Sequence, residues 1–244
     1  KDPYKYAGAF VNIGSKYAHK GAGILTKFDS IPDSSAVFGI TGENAIVDWV
    51  FVEVRSGSDS SQIILTRAGL LQRDGDIVDL DGISPLRTPG IGAGQYYIVV
   101  RHRNHLGVMS KKIHNSNLID LTSIQTQVFD FGTSLNTGYD YTDMATKNNI
   151  IQGYRALWAG DFDGDKKIKF VNPNDDQNIL FFDVLIYPEN FTSSANYNFG
   201  YGYLQGDFNM DGKCKYDNPN DDKNLLFSQI LLYPLNISLL SNFN

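Results

Sequence analysis

Asp161, Asp163 and Asp165 alternate along GDFDGDKK, and Asp207, Asn209 and Asp211 alternate along GDFNMDGK. Oxygen donors at every second position suit a hard divalent cation. Ca²⁺ takes about six to eight oxygens, and a D-x-[DN]-x-[DN]-G loop wraps carboxylates around it. The seventh loop position then supplies a backbone carbonyl, here Lys167 or Lys213. Gly212 fills the sharp-turn position of the second loop. Lys166 stands there in the first, where a positive φ disfavours a side chain, so the first loop is expected to be the weaker site. The twelfth position, Asn172 or Asn218, lacks the usual bidentate Glu. The acids come later, as Asp175/Asp176 and Asp221/Asp222. One aspartate of each pair is expected to close an expanded loop, with about two calcium ions per chain.

The elements that must hold these residues are themselves repeated. Gly160–Pro188 returns at Gly206–Pro234, every position 46 residues later and without a gap. Turns also use Asp, Asn and Gly, but two gapless copies of acids, Asn-Pro and flanking apolar residues favour a cation-binding repeat. The apolar run after each loop fits either a helix or a strand. A helix would use Asn174 and Asn220 as N-caps and stop before Pro188 and Pro234. Ile168 and Cys214, at the eighth loop position, are expected to meet in a short two-stranded ribbon. Neither loop pairs an open coordination position with a general base, so the expected role is structural and no catalytic residue is assigned. These loops resemble the dockerin and thrombospondin type 3 class, used twice.

Upstream, the pattern is β. Ala45–Val54, Gln62–Leu71, Ile77–Leu80, Gln95–Arg103 and a run from Leu106 read as strands separated by Gly, Asp and Pro turns. Pairing of the Trp49 and Tyr97 strands is expected. The fold class expected is mainly β: an antiparallel Ig-like β-sandwich over 1–131, a connecting segment over 132–156, and a small duplicated dockerin-like calcium-binding module over 157–244 with repeats 160–192 and 206–238. Lys1–Ile13 and Leu118–Phe131 are further strand candidates, and Thr142–Ala156 includes a short helix capped by Thr142. The cluster Arg101-His102-Arg103-Asn104-His105 reads as strand and turn, and the run Asp74, Asp76, Asp79, Asp81 as two turns around a short strand.

The succession VDWVFVEVR, LLQRDGDIVDLDG, YYIVVRHRNHLGVMS and LWAGDFDGD resembles a C-terminal region of large secreted surface or adhesin-like proteins of Bacteroidota. The resemblance implies an extracellular, cell-surface location and this architecture. It brings no activity and no catalytic residues. Net charge of −6 argues against nucleic-acid binding. The single cysteine, Cys214, permits no intrachain disulfide and reads as a packed small hydrophobe. No stretch reaches transmembrane length, so membrane insertion is not expected, and Lys1–Ala7 shows no signal peptide. Asn190-Phe-Thr and Asn236-Ile-Ser match the glycosylation sequon at equivalent repeat positions.

The expectation is a non-catalytic structural or adhesive module rigidified by calcium. Its partners would be copies of itself, other surface or matrix proteins, or a glycan. In a self-assembling filament, Lys1–Ile13 would pair with a neighbour's sheet edge. The alternative is a docking module that offers Ile179, Leu180, Leu225 and Leu226 to a cohesin-like receptor.

Overall fold

The structure is a computed structural model that describes residues 34–114, 119, 121, 139–140, 155–165, 167–171, 175–201, 204–217 and 219–232. The expected strands at Lys1–Ile13 and Leu118–Phe131, residues Lys166, Asn172, Asn174 and Asn218, Pro234 and the Asn236 sequon lie outside the described residues, apart from positions 119 and 121. The chain divides into two compact units. One lies within Ala7–His102 and Gly107–Ala156; the other contains Arg103–Leu106 and Leu157–Asn244. Among the described residues, no helix is long and apolar enough to cross a membrane.

The first unit is mainly β. Its strands are β1 (Ile46–Ser56), β2 (Ile63–Gln72), β3 (Ile77–Val78), β4 (Gln95–His102), β5 (Val108–Met109) and β6 (Ile113–His114). They form one antiparallel sheet in the order β3-β2-β1-β4-β5, with β6 also paired to β4. β1 pairs β4 with Arg55 opposite Tyr97 and Val50 opposite His102, as expected for the Trp49 and Tyr97 strands. Two further short strands, β7 (Tyr139–Asp140) and β8 (Arg155–Ala156), pair separately. Arg155 and Ala156 are therefore strand and not the end of a helix; the remainder of Thr142–Ala156 lies outside the described residues. A five-residue helix, α1 (Ser34–Phe38), precedes the sheet.

Central β1 is buried on both faces, which is why its sequence is a nearly continuous apolar run. Trp49 and Phe51 share one face and meet edge to face at 5.4 Å. Two acids are buried with them. Glu53 accepts from Arg101 Nε at 2.7 Å and Arg55 Nε at 2.9 Å. Burial alone would push its carboxyl up, but Arg101 and Arg55 together hold it below the usual range. Asp48 lies 3.2 Å from His102 Nε2. The acidic run forms turns, as expected: Asp74 accepts the Asp76 amide and Asp81 accepts the Ile83 and Ser84 amides.

In the second unit, the apolar runs after the loops are helices: α2 (Asp176–Leu185) and α3 (Asp222–Leu232). The helix caps differ from the expectation. Asp175 caps α2, accepting the Asn178 amide at 2.7 Å. Asp221 does the same for α3, accepting the Asn224 amide at 2.6 Å. Asn220 has φ of 60°, outside the extended conformation that an N-cap adopts. A carboxylate next in sequence accepts the orphan amide more strongly, through a charge-assisted bond.

Candidate metal centre

The two repeats build the same local frame. Both oxygens of Asp176 accept loop amides, Phe162 at 2.7 Å and Lys169 at 2.7 Å. Asp222 accepts the equivalent amides of Phe208 at 2.8 Å and Lys215 at 2.8 Å. Each aspartate also donates its own amide back, to the Lys169 or Lys215 carbonyl at 3.0 Å. The second aspartate of each pair thus latches the head of the helix to both ends of its loop. The first is turned to helix capping: Asp175 gives its other oxygen to Asn178 Nδ2 at 2.8 Å, and Asp221 gives its own to Asn224 Nδ2 at 2.8 Å.

Alternating acids fold each loop back on itself. Asp163 accepts the Asp165 amide at 2.9 Å, and Asn209 accepts the Asp211 amide at 2.8 Å. Asp165 then accepts the Lys167 amide at 2.8 Å, and Asp211 the Lys213 amide at 2.9 Å. The Lys167 and Lys213 carbonyls, expected as ligands, therefore follow the same turn in both copies. Cys214 donates its amide to the Gly200 carbonyl at 3.0 Å, so the expected ribbon with the first loop is not made there.

The repeats are interlocked. A Cβ on Gly160, ahead of the first loop, would lie 2.4 Å from Leu226 Cδ1 of α3. A Cβ on Gly206, ahead of the second loop, would lie 2.6 Å from Leu180 Cδ1 of α2. Each helix thus seats a fully buried leucine on the other repeat's glycine. Aromatic pairs repeat the exchange: Phe170 meets Phe227 at 4.8 Å, and Phe181 meets Tyr216 at 4.7 Å. Phe162 and Phe208, equivalent to one another, meet edge to face at 6.2 Å. Only glycine leaves room for the leucines, which explains GD at the start of both loops.

The two loops differ in what they bring together. In the first, Asp161, Asp163 and Asp176 each offer a carboxylate oxygen, all within 4.8 Å of one another. Asp165 lies beside them in the loop and pairs with Lys169. In the second, Asn209 replaces the middle acid, and both Asp207 oxygens accept backbone amides, Asp211 at 3.1 Å and Gly212 at 3.0 Å.

Three converging carboxylates form an all-oxygen donor set. That chemistry fits a hard divalent cation better than a thiophilic or imidazole-seeking metal. Burial, with the neighbouring Asp161 and Asp163 charges, pushes Asp176 up to about 7 against the pull of the two loop amides. Burial likewise pushes Asp222 up to about 7, with Asp211 adding to it. Asp207 is pushed up to about 8 by burial, Arg103 opposing and Asp222 and Asp211 adding. No family model, curated protein or solved structure matches this chain.

Two residues of this centre were invisible in the sequence pattern. Arg103 donates to the Leu204 carbonyl and lies 3.7 Å from Asp207. Asn104 Nδ2 donates to the Gln205 carbonyl at 2.8 Å and the Asp207 carbonyl at 2.7 Å. Both come from the strand-and-turn cluster about one hundred residues upstream, and no spacing rule links such distant positions. His102 and His105 do not join them at the acids: His102 faces Asp48 in the first unit, and His105 Nδ1 bonds Asn104 at 2.7 Å.

Proposed function

We propose that this chain is a non-catalytic, extracellular structural or adhesive module rigidified by calcium. The observation that carries the reading is the convergence of Asp161, Asp163 and Asp176 on one point at the head of an interlocked pair of repeats. A cation there neutralises acids that burial otherwise leaves reluctant to ionise, and it ties loop to helix. Metal bound only to the folded state adds its binding free energy to stability. The likeness of the loops to dockerin and thrombospondin type 3 repeats supports calcium as the ion. The likeness of the strand blocks to secreted Bacteroidota surface proteins supports the location, the sandwich architecture and partners among copies of itself or other matrix proteins.

The docking alternative is the weaker reading. It needs the Ile179, Leu180, Leu225 and Leu226 face, yet Leu180 and Leu226 are fully buried against the opposite repeat. The exposed apolar residues of α2 and its C-terminal end are instead Phe182 and Ile186.

Melting curves of the full chain with Ca²⁺, with Mg²⁺ and with chelator test the calcium reading. Calcium at one hundred times its dissociation constant should stabilise by about 2.7 kcal/mol and raise the Tm by several degrees. An unchanged Tm after bound ions have been stripped refutes it. Electron microscopy of the native particle tests self-assembly, and a strictly monomeric particle removes the filament version.

A further inference from the structure

Arg103 occupies a position that the repeat alone does not explain. Its guanidinium is buried beside Asp207, the first acid of the second loop, and it also donates to the Leu204 carbonyl at that loop's entrance. Asn104 fastens the same stretch by bonding the Gln205 and Asp207 carbonyls. Gln205 returns a bond to the Arg103 carbonyl and reaches the Phe162 carbonyl at 2.9 Å. Residues 103 and 104 are therefore an inserted part of the second loop's wall, supplied from far upstream.

The two loops differ in their fixed partners. Among the described residues of the first, Asp161, Asp163 and Asp176 converge and Asp165 pairs with Lys169. Around the second, Asp207, Asp211 and Asp222 face Lys215, which is 3.6 Å from Asp211, and Arg103. The second loop has Asn209 where the first has a carboxylate, and it holds Arg103 beside its first acid. Asn209 keeps the turn bond that Asp163 makes in the first loop, but it brings no charge, and its Nδ2 donates to the Asn220 carbonyl at 3.2 Å. Asp207 has its two oxygens turned to amides of its own turn.

We infer that Arg103 serves as a built-in counter-cation for the second loop, so that the chain takes one divalent ion tightly, at the first loop, and not two. This rests on the calcium reading above. An arginine cannot leave and does not titrate, so the second loop stays folded whatever the surrounding calcium concentration. The glycine consideration that ranked the first loop lower in the sequence is outweighed by the missing carboxylate at Asn209 and by Arg103 fixed beside Asp207.

Native mass spectrometry and calorimetry of the full chain with Ca²⁺ test this directly. The native chain should bind one ion tightly. Asp163→Asn should weaken that ion at least about tenfold, the order expected for a lost charged ligand, whereas Asp211→Asn should leave it within about twofold. Arg103→Gln should create or strengthen a second site, and Arg103→Lys should not. Two ions of equal affinity in the native chain overturn the inference while leaving the calcium reading intact. Loss of the tight ion in Asp211→Asn but not in Asp163→Asn does the same, as does a folded Arg103→Gln chain that gains no second ion. No bound ion at all overturns both. Should Arg103→Gln fail to fold, the two aspartate variants and the native ion count still decide.

Discussion

Asp175 and Asp176 are adjacent, identical in chemistry and both buried, yet they should respond to truncation in opposite ways. Asp175→Ala removes a helix cap, and the lost Asn178 contacts cost about 1 kcal/mol. Asp176→Ala strips the acceptor from two loop amides, Phe162 and Lys169, each held at 2.7 Å. An unsatisfied buried donor costs about 1–3 kcal/mol, so the pair sets a gross loss of about 2–6 kcal/mol. Part is returned, because the missing carboxylate was itself desolvated and repelled by Asp161 and Asp163. A net loss of about 2–4 kcal/mol remains, or a Tm fall of roughly 5–15 °C for a chain of this length. The assay is calorimetry of native and variant chains, each in chelator and in saturating Ca²⁺. In chelator, Asp176→Ala should melt well below Asp175→Ala. In calcium, Asp175→Ala should keep the native increment and Asp176→Ala should lose most of it. Equal melting of the two variants in chelator, or loss of the calcium increment in Asp175→Ala alone, refutes the division between cap and latch.

Three further outcomes follow from the same geometry. Asp176 and Asp222 are pushed up to about 7 and Asp207 to about 8, from an ordinary value of 3.8, so without metal the folded chain holds more protons than the unfolded chain between about pH 4 and pH 8. Stability in chelator should therefore fall as pH rises through that window, by up to about 1.4 kcal/mol per pH unit for each group. Ca²⁺ binding should release protons there; denaturation and calorimetry in buffers of different ionisation enthalpy check both, and proton uptake on binding contradicts the reading. Gly206→Ala places a methyl 2.5 Å from Cys214 Sγ and 2.6 Å from Leu180 Cδ1, and should cost about 1–3 kcal/mol. Adding Leu180→Ala should then be less than additive by about 1 kcal/mol, and strict additivity in denaturant titrations argues against the exchange of leucines between repeats. Asn190, in the first sequon, is buried, donates to the Val184 and Ser194 carbonyls at 2.8 and 2.9 Å, and accepts the Ser194 amide at 2.9 Å. Its amide nitrogen is not available to a glycosyltransferase in the folded chain, so treating the folded chain with such an enzyme should leave Asn190 bare by intact mass, and Asn190→Ala should cost about 1–3 kcal/mol.

The repeated loops were legible because their pattern is local: alternating acids and late aspartates sit in short windows, and the same window returns 46 residues later. Long apolar runs likewise placed β1, β2 and β4 to within one or two residues. The choice between Asp175 and Asp176 was not legible, because both precede a helix and only three-dimensional position separates capping from latching. The same run of residues 176–185 suited helix or strand, and contact with the opposite repeat decides it. Asn220 looked like a cap by residue type, but its left-handed backbone gave that task to Asp221. Arg103 and Asn104 were hidden by separation along the chain, since their partners lie 101 to 103 residues away.

The crossed seating of Leu180 on Gly206 and Leu226 on Gly160 makes these repeats countable only in twos. A single copy would expose a leucine with no glycine to receive it and a glycine groove with nothing to fill it. A third copy added in tandem would bring the same unmatched surfaces. The duplication is therefore a fold of its own rather than a string of beads, and it can lengthen only by whole pairs. A free half, released by proteolysis or premature termination, would find its missing complement on the corresponding half of another chain.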